Sequence, residues 1–89
     1  MKTEPKLELH LFYSQHCGLC HEQIRMFKTW KPKIEIRLID CDKAPAFEKA
    51  AGIEGTPTTI LLRDMREVER WVGLTTPPVI QYGINKQLY

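Results

Sequence analysis

The chain has 89 residues, 43% of them hydrophobic and 27% charged, which suits one compact domain and is too short for two, because a chain of this size buries only ~60 to 65% of its unfolded surface. Its 13 basic and 11 acidic residues leave a net charge of +2 and no basic tract, so nucleic-acid binding is not expected. No apolar run approaches the roughly 20 residues that span a bilayer. Met1 to Lys6 lack the apolar stretch of a secretory signal, so a soluble cytoplasmic monomer without membrane association is the simplest expectation.

Leu7 to Tyr13 alternates at period two and then becomes continuously apolar, the pattern of a strand entering a buried sheet. Ser14-Gln15-His16 breaks that pattern. From Cys17 the spacing turns helical through Cys20, Ile24 and Phe27, with Met26 and Trp30 widening the stripe, so a first helix is expected from Cys17 to Trp30. Lys31-Pro32-Lys33 ends it, since proline lacks an amide hydrogen and disfavours helix at the residue before it. Ile34 to Ile39 reads as a second strand. Asp42 is expected to cap a short helix with Pro45 in its first turn and a stop at Gly52. Thr58 to Leu62 is a third strand, Arg63 to Arg66 a turn, and Glu67 to Val72 a fourth strand. Thr76 and Pro77 read as N-cap and first position of a last helix reaching about Leu88, in which Gly83 costs about 1 kcal/mol against alanine. The order is β-α-β-α-β-β-α: two parallel strands joined by a right-handed crossover, then an antiparallel hairpin.

Cys17-Gly18-Leu19-Cys20 lies at the first strand-to-helix junction. Residues three apart on a helix share a face, so these two thiols can bridge. In a reducing compartment such a pair is catalytic or metal-binding more often than structural. A cysteine at a helix start has unpaired amides and the positive dipole end beside it, which favour the thiolate and lower a pKa of ~8.5 into the range ~3.5 to 7.5. Cys17 is thus suited to attack a substrate disulfide, and Cys20 to resolve the mixed disulfide that forms. Two other chemistries stay open from the residues alone. Cys17, Cys20 and Cys41 with His16 or His21 make an acceptable zinc set, and Cys17 to His21 also spells the attachment signature of a c-type haem with His21 as axial ligand. Either would make a binding module without turnover. Cys41 has the simpler reading of a small buried apolar residue. His16 in its charged form would stabilise the Cys17 thiolate, against a plain reading as a solvated loop residue.

With these residues in place, the chain resembles the thioredoxin-like superfamily, which includes thioredoxins and glutaredoxins. The resemblance rests on Cys17-Gly18-Leu19-Cys20, on Gly52-Ile53-Glu54-Gly55-Thr56-Pro57-Thr58 before the third strand, and on Gly73 after the fourth. It spans nearly the whole length. It implies an α/β, minimal thioredoxin fold over 1–89 as a single domain, a four-stranded mixed sheet flanked by helices. It also implies that Pro57 is cis and faces the cysteine pair, and that the backbone of Thr56 pairs with an extended substrate. The implied activity is thiol-disulfide oxidoreduction of protein disulfides, within electron transport and cell redox homeostasis, with a reductase or glutathione as electron donor and with no cofactor or metal. A glutathione-coupled, glutaredoxin-like enzyme is the alternative within the superfamily.

The chain departs from the superfamily pattern at several positions. His16 stands where thioredoxins carry tryptophan, Leu11 where they bury an acid, and Leu38 where a lysine lies near that acid. Losing both charges together is coherent, since one alone would be left buried and unpaired. It predicts a drier site in which water or His16 carries protons. Arg25 replaces a helical proline, so a straighter helix is expected, and Val72 to Pro77 lacks the Gly-Gly-acid pattern with which glutaredoxins hold glutathione. Trp30, Trp71, Phe47 and Tyr82 are expected to pack, His10 to be a satisfied strand residue, and Arg63, Arg66 and Arg70 to form a solvated charged hairpin.

Overall fold

A computed structural model describes residues 4–88. The seven elements follow the order read from the sequence: β1 Leu7–Tyr13, α1 Gly18–Trp30, β2 Glu35–Asp40, α2 Pro45–Ala50, β3 Thr58–Arg63, β4 Arg66–Val72 and α3 Pro77–Leu88. The four strands form one sheet in the order β2-β1-β3-β4. β1 runs parallel to β2 and antiparallel to β3, and β3 to β4 is an antiparallel hairpin.

The central position of β1 explains its composition. Both of its faces are covered, so Leu7, Leu9 and Leu11 join Phe27 of α1, Leu61 of β3 and Ile80 and Ile84 of α3 in the larger cluster, while Phe12 packs with Cys41 and Ile60 in a smaller one. A strand buried on two sides reads as apolar rather than alternating. Its polar exceptions are paired: Glu8 is 2% exposed and its Oε1 accepts from His10 Nε2 at 2.9 Å. His10 is therefore the satisfied strand residue anticipated.

α1 is unbroken over 13 residues. It ends at Lys31, whose left-handed backbone lets its N–H donate to the Phe27 carbonyl at 3.2 Å, as expected where Pro32 forbids a further helical residue. α2 corrects two expectations. Its N-cap is Ala44, with no side-chain cap, because Asp42 is turned toward the loop after β1: its Oδ2 accepts from Ser14 Oγ at 3.0 Å and from the Gln15 N–H at 3.1 Å. The helix is also too short to bury a face, and Phe47 stands 67% exposed instead of packing. Tyr82 is exposed as well, at the outer side of α3, whereas Trp30 and Trp71 do pack against the larger cluster.

Arg70 is a further correction. Its side chain is 30% exposed rather than freely solvated, and its guanidinium donates to the Ala51 carbonyl at 2.7 Å and to both Glu67 carboxylate oxygens at 2.6 and 2.8 Å. Positive charge at the carbonyl end of a helix is favourable, so Arg70 ties β4 to the end of α2. The Glu67 hydrogen bond in turn raises the Arg70 pKa above its usual value.

Candidate active site

The site begins where β1 ends. Cys17 is the N-cap of α1, in extended conformation, and its Sγ accepts from the Cys20 N–H at 3.1 Å. The same sulfur is bonded to Cys20 Sγ, with the two Cα atoms 5.2 Å apart. The two cysteines differ in access: Cys17 is partly exposed, whereas Cys20 is 0% exposed. One sulfur can meet a partner molecule and the other can reach only its neighbour.

The second segment arrives from forty residues away in sequence. The Thr56-Pro57 peptide is cis, and the Thr56 carbonyl oxygen lies 3.6 Å from Cys17 Sγ. Thr58 Oγ1 donates to the Gly55 carbonyl at 2.6 Å and closes the turn from within. A third segment follows β4: the Gly73 N–H donates to the Pro57 carbonyl at 2.7 Å. Gly73 has φ +90°, a region that a side chain strongly disfavours. Cys17, Thr56, Pro57 and Gly73 therefore meet at one edge, and the rim carries exposed apolar residues, Leu19 at 55% and Leu74 at 40%.

His16 stands at the surface immediately before Cys17. Its N–H donates to Ser14 Oγ at 3.4 Å, and no hydrogen bond of its ring is found among the described residues. His21 is held differently, its Nε2 2.9 Å from the Gln15 carbonyl oxygen. Cys41 belongs to the smaller cluster with Phe12 and Ile60. Burial, reinforced by Glu48, Asp42 and Asp40, pushes its thiol up to about 11. Among the described residues, no group of three or more histidine, cysteine or acidic side chains is placed to hold a metal ion, so the candidate zinc ligands are not brought together.

The pair of leucines is only partly as expected. Leu11 is 0% exposed, but Leu38, beside it in the β1–β2 register, is 44% exposed on the sheet's edge strand. The interior next to β1 is dry at Leu11 and open at Leu38. Thr59, the other register neighbour of Leu11, has a buried hydroxyl with no hydrogen-bond partner among the described residues. A cavity of about 520 Å³ is lined by Phe12, Ile39, Lys43 and Phe47 among others; no cysteine lines it.

One residue of the site escaped the sequence reading. Gln23 is 0% exposed, its Nε2 donates to the Thr75 carbonyl at 2.8 Å and its Oε1 accepts from the Thr75 N–H at 2.8 Å. The signal was present: Gln23 lies three residues after Cys20 and four before Phe27, so a polar side chain occupies the apolar stripe.

Comparison with known proteins agrees with this geometry. The Thioredoxin family profile matches residues 1–86, and the chain belongs to the thioredoxin family. It is 33% identical over 66 residues to a thioredoxin of Chlamydia muridarum, covering 71% of this chain and 65% of that protein. It is also 33% identical over 75 residues to the chloroplastic thioredoxin Y1 of Arabidopsis thaliana, covering 79% of this chain and 44% of that protein. The chain thus spans less than two thirds of the length of these relatives. Among solved structures, a mutant thioredoxin from Halobacterium salinarum superposes with a TM-score of 0.86 at 28% identity, covering 94% of this chain and 76% of that one.

Proposed function

We propose that this chain catalyses thiol-disulfide exchange and reduces disulfides in protein substrates, with Cys17 as nucleophile and Cys20 as resolving thiol. The observation that carries the proposal is the unequal access of two bonded sulfurs, Cys17 at the surface on a helix N-cap and Cys20 fully enclosed. Membership of the thioredoxin family supports it and favours it over a glutathione-specific enzyme, a zinc module or a haem carrier.

In the reduced protein, the Cys20 N–H that reaches Cys17 Sγ, together with the positive end of α1, stabilises the Cys17 thiolate. That thiolate attacks one sulfur of the substrate disulfide. A new S–S bond forms to Cys17, the substrate bond breaks, and the departing substrate sulfur leaves as a thiolate that takes up a proton. Cys20 then gives up its proton and attacks Cys17 Sγ, which closes the Cys17–Cys20 disulfide and releases the second substrate thiol. Two electrons and two protons pass to the substrate, and a thiol donor, a reductase or glutathione, restores the dithiol. The Thr56 backbone beside Cys17 would align an extended substrate segment, with Pro57 shaping the turn that presents it. His16, when charged, would add to thiolate stabilisation at the rim. A cytoplasmic setting, where thiol donors keep such pairs reduced, suits this direction of exchange.

The test is insulin reduction by dithiothreitol, followed by the turbidity of the released chains. The wild-type protein is expected to accelerate it and a Cys17→Ser variant to give only the uncatalysed rate. A Cys17→Ser variant that retained full acceleration would contradict the assignment.

A further inference from the structure

Gln23 is polar, uncharged and completely enclosed, in a helix whose other inward residues are apolar or sulfur-bearing. Enclosing a primary amide without partners is costly, so its partners reveal what it is for. Its two short hydrogen bonds both go to the backbone of a single residue across the domain, Thr75, whose N–H and carbonyl are each 2.8 Å from the amide, while Met26 Sδ is a longer contact of Nε2 at 4.0 Å. This is the hydrogen-bonding pattern of a paired strand, made by a side chain. Thr75 is tied to the rest of its loop, since its Oγ1 donates to the Gly73 carbonyl at 3.0 Å and the Gly73 N–H donates to the Pro57 carbonyl. Leu74, 40% exposed, lies between the two held residues. A continuous set of hydrogen bonds thus runs from the helix that carries Cys20, through Gln23, Thr75 and Gly73, to Pro57.

We propose that Gln23 is a positioning residue that fixes the Gly73–Thr75 segment against α1, so that Leu74 and the Pro57 turn form a preset docking rim for protein substrates beside Cys17. The proposal rests on the exchange activity proposed above. Gln23 touches neither sulfur through a hydrogen bond, so the reacting pair is left as it is when the amide is removed. What changes is the ordering of the rim, which must then be supplied at each encounter. A large substrate that spans Cys17 and the 73–75 segment feels that loss. A small disulfide that meets only Cys17 does not.

The experiment compares wild type, Gln23→Met and Gln23→Glu in two assays, insulin reduction and reduction of the small disulfide dithiobis-nitrobenzoate, together with the dithiol reduction potential. Gln23→Met keeps the volume and loses both bonds, and is expected to raise KM for insulin about five- to tenfold, the loss associated with a hydrogen-bonded pair of this kind. The insulin kcat, the small-disulfide rate and the potential are expected to stay within about twofold of wild type, a spread of well under one bond's worth. Gln23→Glu supplies a rescue: a protonated carboxyl donates to the Thr75 carbonyl and accepts from its N–H as the amide does, whereas the carboxylate cannot donate. Its KM relative to wild type at the same pH should be raised near about pH 8 and return toward one near about pH 5, because burial favours the neutral acid. If Gln23→Met does not fold, Gln23→Glu carries the test through this pH dependence. Unchanged insulin KM in the folded variants would overturn the proposal. Equal losses on insulin and the small disulfide would also overturn it, by placing Gln23 in control of the cysteines. A wild-type protein inactive in both assays would overturn the exchange reading itself, and this role with it.

Discussion

At the scale of single residues, the three cysteines show how position decides chemistry. Cys17 sits at a helix start with a donor on its sulfur, Cys20 one turn on is enclosed, and Cys41 is enclosed among apolar groups and carboxylates that keep its thiol protonated at neutral pH. The sequence distinguished the first two by their spacing together with their place at a strand-to-helix junction. Glu8 is the residue it did not explain, because a buried acid in a central strand makes sense only with its partner. The His10 hydrogen bond, with Lys6 and Arg37 nearby, holds the Glu8 carboxyl below 4.5 against the opposing effect of burial. A group depressed in the folded state binds its proton more readily when unfolded, so its stabilisation is present above 4.5 and fades as pH falls below that value. Glu8→Gln should therefore lower stability by roughly 1 to 3 kcal/mol at neutral pH, the range for a hydrogen bond with a charged partner. In urea unfolding the deficit should shrink at acid pH. A deficit of the same size at neutral and acid pH would show that the carboxylate charge is not what Glu8 contributes.

At the scale of elements, α3 and β4 explain a glycine that propensity counts against. A Cβ on Gly83 would meet Trp71 Cζ2 at 2.6 Å and Glu69 Oε1 at 2.9 Å, so the helix accepts glycine in order to lie close on the Trp71 ring. Gly83→Ala gains about 1 kcal/mol of helix propensity but crowds a packed contact, which typically costs about 1 to 3 kcal/mol. Thermal unfolding should show a lowered Tm, by some 4 to 8 °C per net kcal/mol for a domain of this size; a raised Tm would mean the tryptophan yields freely. The strands and the two longer helices were legible because each carries a period or a breaker of its own: the apolar run of β1, the stripe of α1 closed by Pro32, the Thr76-Pro77 start of α3. α2 was legible in place but not in detail. Its cap and its one aromatic residue depend on what Asp42 and Phe47 meet in space, and Asp42 has a better partner in the β1–α1 loop than in the helix.

At the scale of the whole molecule, the fold brings together segments far apart in the chain, Cys17 with Thr56 at a separation of 39 and Gln23 with Thr75 at a separation of 52. Cys17 and Cys20 could be found from spacing, and Thr56-Pro57 from resemblance. The tie from Pro57 through Gly73 and Thr75 to Gln23 could not, since the polar Gln23 in the apolar stripe is visible in the sequence but the backbone groups it and Thr75 Oγ1 reach carry no residue signature. The reading of Arg70 as a freely solvated charge missed the carbonyls at the end of α2, which it reaches in addition to its Glu67 partner. The central claim is that Cys17, and not Cys20, meets the substrate. It is tested most directly by incubating a Cys20→Ser variant with a disulfide-containing protein and mapping the covalent product by mass spectrometry after non-reducing digestion. A mixed disulfide is expected to accumulate through Cys17, because the resolving thiol is gone. A complex linked through Cys41, or one trapped through Cys20 in the reciprocal Cys17→Ser variant, would contradict the account.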